Sequence, residues 1–137
     1  MSPLAAAGEL AIKAETDIVA ARRAVREIAT HAGFAPTDVT RIVTAASELA
    51  RNVFKYAGEG IMRWSSIDAN SRMGIELQFI DHGPGIADVN QAMEGGFSTG
   101  GGLGLGLPGA KRLADELEIQ STPGQGTTVT LRKWRRK

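Results

Sequence analysis

Apolar residues recur along this chain with two periods, and the places where the period changes divide it into elements. Over residues 9–15, ELAIKAE, they alternate, which predicts a short edge strand. Ile18, Ala21, Val25, Ile28, Ala29 and Ala32 follow at helical spacing, with Thr16 and Asp17 as N-cap oxygens and Gly33 as the stop. A second helix is predicted from Pro36, whose fixed φ suits a first helical turn. Its stripe is Val39, Ile42, Val43, Ala46, Ala50, Val53 and Ala57, ending at Gly58. The period then becomes two. Residues 61–68 read as a strand, NSR at 70–72 as a hairpin turn, and Met73, Ile75, Leu77 and Phe79 as one face of the next strand. A glycine-rich stretch covers residues 83 to 106. LPGAKRLADEL at 107–117 is helical, and LEIQS, the turn TPGQG and TTVTLRKW form a closing hairpin. The order β-α-α-β-β-loop-α-β-β lacks the alternation of a doubly wound parallel sheet. It predicts an α+β fold with helices layered on one face of a mostly antiparallel sheet.

Composition narrows the function classes. At 137 residues, 42% hydrophobic and 23% charged, the chain suits one soluble domain spanning residues 1–137. It has no cysteine, which excludes disulfide frameworks and thiolate metal sites and suits a reducing compartment. His31 and His82 are far apart in sequence, a poor basis for catalytic zinc. No basic segment precedes an apolar run near the N-terminus, and no run approaches the ~20 residues that span a bilayer. A cytoplasmic protein without a membrane partner is expected. The end of the chain, LRKWRRK, holds five bases and no acid: a solvated strand end, or a contact for an acidic partner. Trp134 is its one interleaved aromatic, too little to predict nucleic-acid binding.

Four places carry candidate chemistry. Glu48 and Asn52 lie four apart on the second helix, one turn from each other and opposite the apolar stripe, with Tyr56 extending their row. That row is either a solvated face or, if covered, a pair of oxygen ligands suited to Mg²⁺; the carboxylate also suits a general base. Asp81 opens DHGPG and continues the parity of Ile75, Leu77 and Phe79, which aims it at the apolar side of the sheet. It is either a turn starter or an acceptor for a ligand's amino group, with Gly83 and Gly85 leaving room for a flat ring. Eight of the 17 glycines fall within residues 95–109. GLGLPG at 104–109 matches a dinucleotide fingerprint in letters only, since no βαβ unit surrounds it, and Ala110 before Lys111 breaks a Walker A loop. A linker is one reading. An anion-binding lead into a helix is the other, favoured because Leu103, Leu105 and Leu107 alternate with the glycines. Thr127 and Thr128 after Gly126 are hairpin chemistry, or one of them reaches the ligand held by Asp81.

In sequence order, Glu-x-x-x-Asn, Asp-x-Gly-x-Gly, a glycine-rich loop with G-x-G before a helix, and Gly-Thr-Thr resemble the GHKL family of ATP-binding proteins. That family includes histidine kinases, gyrase-type ATPases, Hsp90 and small bacterial serine kinases. The resemblance covers roughly residues 9 to 134. It implies the Bergerat fold, a two-layer α/β sandwich with a mixed, mostly antiparallel sheet and a glycine-rich ATP lid. SELARNVFKYAG and GLGLGLPGAKRLADELEI are similar to the RsbT-like switch kinases of bacterial partner-switching stress signalling. The implied activity is ATP-dependent serine/threonine phosphorylation of STAS-domain antagonist proteins, which frees a PP2C-type phosphatase or another output protein. The alternative within the family is a nucleotide-dependent anti-sigma factor or other partner-sequestering regulator.

The resemblance also implies roles. Asn52 matches the Mg²⁺-binding asparagine, Glu48 the general base, and Asp81 the aspartate that reads the adenine amino group, with Gly83 and Gly85 beside the ring. Gly102, Gly104 and Gly106 match the phosphate-cradling backbone, and Thr127 or Thr128 the threonine near adenine. Tyr56 stands where some relatives have histidine. The expected cofactors are ATP and Mg²⁺. A chain this short lacks the phospho-acceptor helices of histidine kinases and the transducer domains of gyrase-type ATPases, so a kinase acting in trans is expected.

Overall fold

The computed structural model of the chain describes residues 7–85 and 107–135. In order these residues form β1 (Ala7–Ile12), α1 (Glu15–His31), α2 (Pro36–Asn52), a single π-helical turn (Val53–Ala57), β2 (Gly60–Ala69), β3 (Arg72–Asp81), α3 (Leu107–Leu113), β4 (Glu116–Thr122) and β5 (Gly126–Trp134). The α+β expectation holds. The strands lie in the order β1-β2-β3-β5-β4. A mixed sheet was expected, but every ladder among the described residues is antiparallel. Because β3 and β4 each run antiparallel to β5, they are parallel to one another, with α3 in the connection between them.

Local chemistry sets the element ends. α1 begins two residues earlier than its expected caps: Ala14 is the N-cap, in extended conformation, and offers no side-chain oxygen. Asp17 serves from inside the first turn, its Oδ2 accepting from the N–H groups of Lys13 (2.8 Å) and Ala14 (3.1 Å). Gly33 stops the helix as expected, at φ +88°, a left-handed conformation that suits glycine. Asn70 and Ser71 both have positive φ, 53° and 65°, and join β2 to β3 in a two-residue turn of the kind that matches strand twist. α3 is shorter than the expected 107–117 helix. Asp115 leaves it to donate its N–H to the Arg132 carbonyl (3.0 Å), so Glu116 and Leu117 already belong to β4.

One apolar cluster lies between the helices and one face of the sheet. Phe79, Ile12, Ile42, Leu49, Met62, Ile75, Leu77, Leu107, Leu131 and Val25 are fully enclosed, and burying each stabilises the fold by about 1.5–3 kcal/mol. The buried set of α2 is wider than the expected stripe, since Ala45 and Leu49 join it. The reason is that α2 packs against α1 and α3 as well as against β3. Met73, placed by parity on the apolar face, is 47% exposed at the far end of β3.

The opposite sheet face is held by cross-strand charges. Arg132 bridges Glu76 (2.7 Å), Glu116 (3.1 Å) and Glu118, while Arg63 meets Glu9 at 3.1 Å. Among the described residues the basic end is therefore not simply solvated. Arg132 is paired, Lys133 is buried between Asp38 and Asp115, and Arg135 donates to the Ala32 carbonyl at the end of α1. Among the described residues no helix is long and apolar enough to cross a membrane.

Candidate functional site

Four strands end side by side in a polar row. The ladders place Gly60 beside Asp81, Asp81 beside Thr127, and Thr127 beside Ser121. Side chains alternate across a sheet, so Asp81 shares the helix-facing side with the buried Ile75, Leu77 and Phe79. Thr127 shares it with Val129 and Leu131, which are also buried. Asp81 is half-buried, and its Oδ1 accepts the Gly83 N–H at 2.9 Å. Of the two candidate threonines, Thr127 stands opposite Asp81 on the same face. Thr128 pairs with Ile80 and faces the other side. Ser121, which the sequence did not single out, touches Thr127 Oγ1 with its Oγ at 2.9 Å.

Glycines let helix and loop close around this row. A Cβ on Gly60 would lie 2.6 Å from Val53 Cγ1, and one on Gly83 would lie 2.6 Å from Ala57 Cβ. The first and last residues of the π-helical turn thus touch backbone on either side of Asp81. Asn52, the residue before Val53, is thereby held at the same end of the molecule as Asp81. Single π-helical turns inside helices are often found at functional sites. Gly85, at φ +78°, lies against the β4–β5 hairpin: a Cβ there would sit 2.5 Å from the Thr122 carbonyl oxygen. The same hairpin donates Gly124 N–H to the Pro84 carbonyl at 2.7 Å. The missing side chains of Gly83 and Gly85 leave space for Ala57 and for the Thr122 backbone.

Glu48 and Asn52 are one turn apart on α2 and each is half-buried, so their face is not fully solvated. Glu48 Oε1 meets Arg51 Nη1 at 3.2 Å, and its side chain is 43% exposed. Tyr56 does not simply continue their row, because a π-helical turn advances each residue through a smaller angle than an α-helix. Its hydroxyl is buried without a hydrogen-bond partner among the described residues, and Lys55 Nζ stands 5.3 Å from its ring centre. Gly102, Gly104 and Gly106 lie outside the described residues. α3 begins directly after them, with Leu107 and Ala110 buried and the helix packed on α2.

The oxygen donors of Glu48 and Asn52 are of a kind that suits Mg²⁺. Among the described residues no three His, Cys, Asp or Glu side chains gather in a way that could hold a metal ion. Asn52 and Glu48 supply oxygen donors of the kind Mg²⁺ uses when it keeps waters and shares substrate phosphates. The half-buried acceptor Asp81 and the orphaned Tyr56 hydroxyl are polar groups with capacity for a ligand.

An antiparallel sheet under helices, with a carboxylate at the sheet end beside a helix that carries Glu-x-x-x-Asn, defines a class of nucleotide-binding domain. A family model described as histidine kinase-like ATPase domain matches residues 12–133, and the chain belongs to that family, as the GHKL resemblance indicated. Over 125 residues it is 48% identical to the serine/threonine-protein kinase RsbT of Bacillus subtilis, covering 91% of this chain and 94% of that protein. That likeness places it among the protein serine/threonine kinases of the family. It is also 36% identical over 103 residues to the anti-sigma F factor of Caldanaerobacter subterraneus, covering 71% of each. The fold matches a crystal structure of the RsbU and RsbW domains of a Mycobacterium tuberculosis protein with a TM-score of 0.61 at 21% identity, covering 94% of this chain and 33% of that one.

Proposed function

We propose that the chain transfers the γ-phosphoryl group of ATP to a serine or threonine of a STAS-domain antagonist protein, and so acts as the switch kinase of a bacterial partner-switching stress pathway. The observation that carries this is the Asp81–Thr127 row held against the α2 end by Gly60 and Gly83. Asp81 Oδ1 is engaged by Gly83, so Oδ2 accepts from the adenine amino group, with the Thr127 hydroxyl beside it. Asn52 holds Mg²⁺, which supplies charge neutralisation on the phosphates when bound. The backbone N–H groups of Gly102, Gly104 and Gly106 cradle the phosphates. Glu48 takes the proton of the attacking hydroxyl, the hydroxyl oxygen bonds to the γ-phosphorus, the bond to the β–γ bridging oxygen breaks, and ADP leaves with that electron pair. Glu48 Oε1 meets Arg51, so Oε2 is the oxygen that takes the proton. Phosphorylation of the antagonist releases a PP2C-type phosphatase or another output protein. The protein works in the cytoplasm.

Likeness to the anti-sigma F factor supports a second reading, in which the chain holds a partner and nucleotide acts as the switch. Labelled ATP incubated with the protein and a STAS-domain substrate separates the two. Label on a serine or threonine of the substrate supports the kinase. A stable nucleotide-dependent complex without transfer supports sequestration. In calorimetric titration Asp81→Asn should weaken ATP binding by about 1–3 kcal/mol, because it offers a donor where an acceptor is needed. Unchanged affinity by calorimetry would remove Asp81 from the adenine contact.

A further inference from the structure

Two hydrogen-bond contacts of the Ser121 hydroxyl together fix the direction of one of them. Ser121 Oγ lies 3.1 Å from the Gly126 carbonyl oxygen, which can only accept, so the serine donates there. It also lies 2.9 Å from Thr127 Oγ1. A hydroxyl has one hydrogen. With the Ser121 hydrogen on Gly126, the Ser121–Thr127 bond must use the hydrogen of Thr127. Thr127 is then left with lone pairs, and no hydrogen, to present beside Asp81.

Asp81 is likewise an acceptor, with Oδ1 on the Gly83 N–H. The two stand directly opposite each other on β3 and β5. The end of the sheet therefore offers a ligand two adjacent acceptors. Such a surface welcomes an N–H₂ group and repels a carbonyl oxygen, which would face lone pairs with no hydrogen between them.

We propose that Ser121 is a positioning residue for nucleotide specificity: it holds the Thr127 hydroxyl as an acceptor, so that the Asp81–Thr127 pair selects an amino-purine over an oxo-purine nucleotide. This rests on the nucleotide-binding reading above and adds to it a residue on β4 and a reason for base selectivity. Without the Ser121 hydroxyl, the Thr127 hydroxyl is free to rotate. It can then donate to Asp81, competing with the amino group, or to an oxo group, relieving the repulsion.

The test is calorimetric titration of the full chain with Mg·ATP and with Mg·ITP, whose bases differ at C6 by amino against oxo and at N1 by a lone pair against an N–H. The wild type should prefer ATP. Ser121→Ala should narrow the ATP:ITP affinity ratio about tenfold, the worth of one well-placed hydrogen bond. Ser121→Thr, which keeps the hydroxyl, should restore the ratio. Should Ser121→Ala fail to fold, Ser121→Cys, similar in size and a weak donor, should give a ratio between the two. An unchanged ratio in Ser121→Ala, or equal loss for both nucleotides, overturns the positioning role while leaving ATP binding intact. A wild-type chain that binds neither nucleotide overturns the nucleotide reading and this inference with it.

Discussion

In the proposed mechanism the chemistry turns on Glu48, whose surroundings bear on that role. The carboxylate sits one helical turn before Asn52, half-buried, and touches Arg51 at 3.2 Å. Glu48→Gln preserves shape and removes the proton acceptor. ATP affinity should stay near that of the wild type, and phosphoryl transfer should fall about 10²–10⁴-fold. Single-turnover transfer measured beside ATP titration checks this, and wild-type transfer by the variant would exclude Glu48 as the base. The placements of Glu48, Asn52 and Asp81 were legible in the sequence because each depends on local periodicity: i,i+4 on a helix, and alternate residues on a strand. The choice between Thr127 and Thr128 was not legible. It depends on which residue of β5 stands opposite Asp81, a matter of register between strands 46 positions apart. Ser121 escaped for the same reason, since its partner lies across a hairpin and its own segment shows nothing beyond ordinary alternation.

Among the elements, the π-helical turn does most to shape the site. Val53 and Ala57, its ends, press on Gly60 and Gly83, and Gly83 in turn donates to Asp81. Gly83→Ala would put a Cβ 2.6 Å from Ala57 Cβ and 2.9 Å from its Cα, so the backbone must move. The expected result is a fall in ATP affinity of roughly tenfold with a loss of about 1–3 kcal/mol in stability, as for other overpacked positions. Calorimetry and urea unfolding would show it. Gly58→Ala is a useful comparison: its site has open space but φ is +83°, so it should cost stability through backbone strain and move ATP affinity little. The apolar stripe through Val53 gave no sign of the wider turn, because the same spacing serves an α-helix. The start of α1 was likewise misplaced by two residues, since Asp17 caps backwards from inside the helix. The early end of α3 depends on Asp115 bonding to β5, a contact that local helical propensity does not contain.

Across the whole molecule, charge pairs hold the sheet together on both faces and set its response to acid. On the open face, Glu116 accepts from the Trp134 indole at 2.9 Å and from Arg132 at 3.1 Å, and these hold its carboxyl below the usual carboxylate range. A carboxyl whose pKa is lower folded than unfolded contributes stability that is complete above the unfolded value, near 4.5, and is lost as pH falls through the folded value. Urea midpoints should therefore be level from pH 7 to about 5 and fall below that, with Glu116→Gln reducing the slope in the acid range. On the buried face, Lys133 is 4% exposed, 3.6 Å from Asp115 and 3.9 Å from Asp38, so one ammonium links β5, the α3–β4 connection and the start of α2. Asp38 is 3% exposed and keeps Arg41 at 3.0 Å. Lys133→Met fills the volume but leaves a buried carboxylate short of a cation, and such breaks cost about 3–5 kcal/mol where no other partner remains. With Arg41 still in place the loss should be smaller, about 2–3 kcal/mol by urea unfolding. Asp38→Asn added to Lys133→Met removes the carboxylate that has lost one of its cations and should recover about half of that. If the double variant is instead less stable than Lys133→Met by the full cost of Asp38→Asn alone, the two sites do not communicate. The long 3.9 Å separation would then be a packing coincidence, not a link between helix and sheet.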